Sequence, residues 1–139
     1  MKVKFERVTI KVKNLEKAVD FFSDLLETTF DIQPEEPKHE FTPAPDAYTK
    51  CRAAISPIGI ELFEPDPVVE EEGVWNMTWR VDDLEKAKED MREKGIRHLF
   101  DIKCGRWKET VYSPDDMYGV RWDLDKYEGD SAFKAMLRK

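Results

Sequence analysis

The chain has 139 residues, 40% hydrophobic and 12% aromatic, enough for one packed domain or two small modules sharing a core, and too apolar for wholesale disorder. Acidic residues outnumber basic ones by 30 to 23, and the resulting net charge of −7 disfavours partnership with nucleic acid or an anionic membrane surface. The charged run MKVKFERVTIKV has no apolar centre of a signal peptide, and AAISPIGIELF is too short for a bilayer span. Cys51 and Cys104, outside any CxxC motif, read as free thiols of a cytoplasmic protein, with one disulfide as the alternative.

Residues 7–12 alternate, with Val8, Ile10 and Val12 on one face of a strand and Arg7, Thr9 and Lys11 on the other. Asn14 caps a helix whose apolar stripe is Leu15, Ala18, Val19, Phe22, Leu25 and Leu26. A strand over TTFDIQ precedes a segment with Pro34, Pro37, Pro43 and Pro45, which predicts a stiff loop without regular structure. Two strands, YTKCRAAI and GIELFE, are joined by a turn at Ser56-Pro57-Ile58-Gly59. The acidic run PDPVVEEEG reads as a linker.

The pattern then restarts. RVTIKVKNLEKAVDFF at residue 7 has an echo, NMTWRVDDLEKAKEDM, at residue 76. Asp83 caps the second helix, Leu84, Ala87 and Met91 face inward, and Gly95 ends it. Strands follow at HLFDIK, ETVYS and GVRWDLD, the last after a turn at SPDDMYG. The tail holds a short helix in DSAFKAML, capped by Asp130 or Ser131. The element order in both halves is strand, helix, then three strands. This places a first module at residues 1–66, a linker at 67–73, a second module at 74–126 and a C-terminal tail at 127–139. The fold class is α+β: two βαβββ modules forming a curved mixed sheet around a cleft, with helices outside.

If the apolar strand faces pack on the helices, the opposite faces line the cleft. Those faces carry Arg7, Thr9 and Lys11; Asn76, Thr78 and Arg80; Glu61 and Phe63; Arg121 and Asp123. Trp107, beside a glycine, is a candidate for stacking on a ligand. Tyr48, Lys50 and Arg52 either reach the cleft or stand exposed on an edge.

The paired (D/N)LEKA helices, GIELFEP, and VDDLEKAKEDMREKGIR followed by VYSPDDMYGVRWDL resemble the vicinal oxygen chelate superfamily, which includes glyoxalase I, bleomycin-resistance proteins, extradiol dioxygenases and methylmalonyl-CoA epimerase. The resemblance spans about residues 5–126 and implies a divalent-metal site at the positions of Arg7, Asn76, Glu61 and Asp123. Two carboxylates stand there, but arginine and asparagine replace the usual histidines. Arginine cannot ligate a cation, and an asparagine carbonyl is a weak ligand for zinc or iron. His39 and His98 do not fall at matching positions.

The expectation is therefore a degenerate site with no cofactor, in which Arg7 replaces the metal and pairs with Glu61 or Asp123. The cleft binds a small organic molecule, and Arg80, Arg121 and Lys11 point to a carboxylate or phosphate on it unless the protein's own carboxylates consume those charges. The alternatives are a metal-dependent lyase, epimerase or dioxygenase using Glu61, Asp123 and Asn76 around a hard divalent ion, and an interaction module with a vestigial cleft. Exposed sheet edges and the resemblance together point to a homodimer.

Overall fold

The computed structural model describes residues 1–35, 37–45 and 50–139. Among these residues nine strands form one mixed sheet. They are β1 (Lys4–Lys11), β2 (Asp31–Ile32), β3 (Glu40–Thr42), β4 (Lys50–Ser56), β5 (Ile60–Asp66), β6 (Gly73–Arg80), β7 (His98–Cys104), β8 (Trp107–Tyr112) and β9 (Trp122–Lys126). Their order across the sheet is β2-β4-β5-β1-β6-β9-β8-β7-β3, and the sheet curls into a half-barrel. Three helices accompany it: α1 (Leu15–Leu26), α2 (Leu84–Glu93) and α3 (Ala132–Leu137).

The repeat in the sequence is a repeat in the pairing. β1 runs parallel to β5, and β6 runs parallel to β9. Thr9 stands opposite Glu61 in the first pair, and Thr78 opposite Asp123 in the second. β1 and β6 meet antiparallel at the centre, where Arg7 lies beside Thr78 and Thr9 beside Asn76. Both long helices begin with the expected cap: Asn14 accepts from the Lys17 amide and Asp83 from the Lys86 amide, each at 3.0 Å. The tail helix uses Ser131, whose hydroxyl accepts from the Lys134 amide.

Two helical seams, one tail seam and a smaller concave cluster of Ala53 and Phe63 with Phe41, Cys51 and Trp75 make the apolar core among the described residues. Leu15, with Ala18, Val19 and Phe22 behind it, covers Val12, Ala54 and Leu62. Leu84, Ala87 and Met91 cover Val81, Tyr112 and Leu124. α3 closes over Cys104, Trp107 and Tyr127 through Ala132, Ala135 and Met136. Gly105 makes that last contact possible, because a Cβ there would stand 2.3 Å from the Met136 carbonyl oxygen.

Some expectations need correction. The proline-rich segment does contain a strand, since Glu40-Phe41-Thr42, flanked by Pro37 and Pro43, keeps its amides and pairs with β7. This first-half segment therefore crosses to the second-half edge of the sheet. Leu25 and Leu26, placed on the buried stripe, are 62% and 40% exposed. They lie past the point where α1 leaves the sheet. Trp79 and Trp122 stack at 5.0 Å on the helix side yet are only half-buried. Both cysteines are free. No helix among the described residues is long and apolar enough to cross a membrane.

Candidate functional site

The concave face of the sheet holds the polar residues, and they are more deeply buried than much of the apolar convex face. Arg7 is 2% exposed, Thr78 0%, Asp123 3% and Asp125 0%. Charges so removed from water persist only when paired, and the pairing centres on Arg7. Its Nε donates to Glu61 Oε1 at 3.2 Å and its Nη1 to Asp125 Oδ2 at 3.1 Å. Its Nη2 lies 3.8 Å from Glu109 Oε1. Burial works against the guanidinium charge, but Glu61, Asp125 and Glu109 outweigh it and raise the Arg7 pKa well above its usual value.

The surrounding hydrogen bonds fix the carboxylates in turn. Glu61 accepts from the Thr9 hydroxyl at 2.7 Å and, through its other oxygen, from the Gln33 amide at 3.0 Å. Asp125 also accepts from the Trp107 indole N–H at 3.0 Å. Asn76 donates to Asp123 Oδ2 at 2.5 Å, and Thr78 donates to Glu109 at 3.3 Å. Four carboxylates thus face Arg7 and, at the rim, Arg121, whose Nε is 3.9 Å from Asp123 Oδ1.

This excess of negative charge shows in the acidities. Burial lifts Asp123 and Asp125 to about 6, although Arg121 pulls the first down and Arg7 the second. Burial and repulsion from Asp123 push Glu109 well above the usual carboxylate range.

Above this floor lies a confined pocket of about 40 Å³. Its aromatic wall is built by Phe63 stacked on Trp75 at 5.9 Å, with the Arg121 guanidinium 4.5 Å from the Trp75 ring. On the opposite side His39 meets Trp107 edge-on at 6.1 Å. Four polar atoms of pocket residues are buried without a hydrogen-bond partner among the described residues: Asn76 Oδ1, Asp123 Oδ1, Arg121 Nε and His39 Nε2.

Of the residues expected at the cleft, Glu61, Phe63, Asn76, Trp107, Arg121 and Asp123 line this pocket, while Arg7 lies beneath it. Arg80 does not join them. Its guanidinium donates to the carbonyls of Tyr127 and Gly129 at 2.8 and 2.7 Å and stacks on the Tyr127 ring, so the chain leaving β9 captures it. Asp123 is not a partner of Arg7 either; Asn76 takes that role, and Asp125 bonds Arg7 instead. Lys50 and Arg52 face away from the cleft, where Arg52 pairs with Glu16 and Glu64. Cys51 and Ala53 are the pocket residues of that strand. Tyr48 lies outside the described residues.

Sequence reading missed Glu109, Asp125, Gln33 and His39. Asp125 was legible, because it shares the alternation of Arg121 and Asp123. Glu109 required knowing which face of β8 is concave, and His39 required the crossing of β3.

These residues do not fit a divalent metal ion. Both Glu61 oxygens are engaged, a guanidinium already occupies the centre of the carboxylates, and of the pocket's oxygen and imidazole atoms Asn76 Oδ1, Asp123 Oδ1 and His39 Nε2 are the ones left without a partner among the described residues. A hard divalent ion takes six or more oxygens. Among the described residues no group of three His, Cys, Asp or Glu side chains is arranged to hold a metal ion.

A half-barrel of two similar units, with its polar groups gathered on the concave side, defines a class of α+β protein built from repeated modules. The sequence agrees: residues 6–111 match the Glyoxalase/Bleomycin resistance protein/Dioxygenase superfamily, and the chain belongs to that family. Solved structures share its fold. A Streptomyces coelicolor methylmalonyl-CoA epimerase variant in complex with 2-nitronate-propionyl-CoA superposes with a TM-score of 0.72 at 20% identity, covering 93% of this chain and 100% of that one. The Mycobacterium tuberculosis methylmalonyl-CoA epimerase gives 0.67 at 19% identity, covering 90% and 88%. A hypothetical protein from Bacillus halodurans C-125 gives 0.72 at 17% identity, covering 94% and 99%. At these identities the likeness is one of fold. No curated protein matches the chain.

Proposed function

We propose that this protein binds a small polar organic molecule in the concave pocket without a metal, and that the Arg7 ion-pair network substitutes for the metal of metal-dependent family members. One observation carries the reading. Four buried polar atoms, from Asn76 on β6, Asp123 on β9, Arg121 in the segment leading into β9 and His39 in the segment leading into β3, converge on one aromatic-walled pocket without hydrogen-bond partners among the described residues. Unpaired buried polar groups are costly, and a ligand that pairs them recovers that cost.

Asn76 Oδ1 calls for a hydrogen-bond donor on the ligand and Arg121 Nε for an acceptor. Burial lowers the His39 pKa, so its imidazole is neutral and can serve either way. A strongly anionic ligand, expected from Arg80, Arg121 and Lys11, is disfavoured. Arg80 is engaged elsewhere, and Arg121, the one arginine among the described pocket residues, lies beside Asp123 in a pocket that Glu61 and Glu109 also line. The confined space favours a neutral group of a few heavy atoms, either a whole molecule or the end of a longer one.

The test is a thermal-shift screen of neutral amides, polyols and acyl-CoA esters, methylmalonyl-CoA among them, run beside metal analysis of the purified protein. The reading expects a stabilising neutral ligand whose effect Asn76→Ala and Arg121→Ala remove. Stoichiometric metal that survives dialysis and is lost on Glu61→Ala would overturn it in favour of a metalloenzyme. The proposal includes a homodimer; a monomer mass by light scattering at micromolar concentration would remove that part.

A further inference from the structure

The opposite face of the sheet carries a second concentration of charge, of the other sign. Lys103 on β7, Lys108 on β8 and Lys126 on β9 are direct cross-strand partners, Lys103 with Lys108 and Lys108 with Lys126. Three ammonium groups thus stand in one row on the convex side, in a chain whose acids outnumber its bases by seven. Like charges directly opposite one another destabilise a sheet. None of the three forms an ion pair among the described residues, although Glu40 stands opposite Lys103 on β3.

Guarding a sheet edge does not explain the row, because β8 and β9 are interior strands. The row borders a hollow of about 470 Å³ that Arg106 and Tyr127 also line. Arg106 spends its Nε on the Lys139 carbonyl, which leaves its terminal nitrogens toward solvent. Asp83, Glu85 and Glu128 also lie on the rim, but Asp83 is committed to capping α2.

We infer that this convex hollow is a binding site for a phosphate-bearing small molecule, held by Lys103, Lys108, Lys126 and Arg106. A doubly charged phosphate reaches several ammonium groups at once and offsets the repulsion within the row, as a single carboxylate cannot. The volume exceeds that of a phosphate group and leaves room for the organic part of a phosphorylated metabolite. The site lies across the sheet from the concave pocket and does not depend on how that pocket is read.

Isothermal titration of the full chain with inorganic pyrophosphate, at fixed ionic strength, tests the inference. Binding should weaken at least tenfold in the Lys108→Ala/Lys126→Ala variant and survive in Lys108→Arg. Without added anion, Lys108→Ala should melt higher than the parent, because the central like charge is gone. Undetectable pyrophosphate binding overturns the inference. So does binding indifferent to the double substitution, equal binding of sulfate or of a triglutamate peptide, or a Lys108→Ala variant that melts lower than the parent.

Discussion

The two halves of the sheet share a framework and divide its charge unequally. Position by position, Arg7 corresponds to Asn76, Thr9 to Thr78 and Glu61 to Asp123. Further along the paired strands Phe63 corresponds to Asp125, and Ala53 to Glu109, as the registers of β4 on β5 and β8 on β9 show. The first half therefore supplies the central cation and one carboxylate, and the second supplies three carboxylates. Neither half is electrostatically complete, since the Arg7 side chain crosses the β1–β6 seam to reach Glu109 and Asp125. The repeat fixes where side chains stand, while divergence between the copies makes the halves interdependent.

Removing the shared cation should have the largest effect. Arg7→Ala leaves buried carboxylates from both halves uncompensated and should cost on the order of 3–5 kcal/mol in chemical denaturation. A loss under about 1 kcal/mol would mean that the network is wet and the halves are independent.

The second test is pH. Asp123 and Asp125, ordinarily near 3.8, sit at about 6 when folded, so folding favours their protonated forms. Their stabilising contribution is complete below about pH 4 and is lost as pH rises through about 6. The chain should thus be harder to unfold at pH 5 than at pH 8, by a few kcal/mol at most. Asp123→Asn should remove the Asp123 share of that slope. A slope unchanged by the substitution would show that the second-half carboxylate does not carry it.

Asn76→Ala should cost about 1–3 kcal/mol by depriving Asp123 of its amide donor, less than the loss of Arg7 at the matching position. The smallest expected difference lies between the two threonines. Thr9 donates at 2.7 Å and Thr78 at 3.3 Å, so Thr9→Val should lose about 1 kcal/mol and Thr78→Val less. The reverse order would show that the second-half network is the tighter one.

Strand alternation, capped (D/N)LEKA helices and the repeat period were legible in the sequence because each depends on neighbours within a few residues. They led directly to the family fold and to the concave placement of Arg7, Glu61, Asn76 and Asp123, and the metal positions implied by the resemblance led to the expectation that Arg7 pairs with Glu61 or Asp123, of which Glu61 is the partner. The alternation of β9 held Asp125 as well, though no local signal set it apart as a partner of Arg7. Only the tertiary structure decided where the proline-rich segment goes, because a three-residue strand has too few local interactions to declare its partner and needs the edge of β7 to pair. That crossing brings His39 to the pocket. Arg80 shows the same limit from the other side: its strand face was correct, but the carbonyls that hold it come from residues 127 and 129, which only the folded chain carries past it. Alternation fixes the face on which a side chain stands, while its partner depends on which distant backbone lies within the reach of a long, flexible stem.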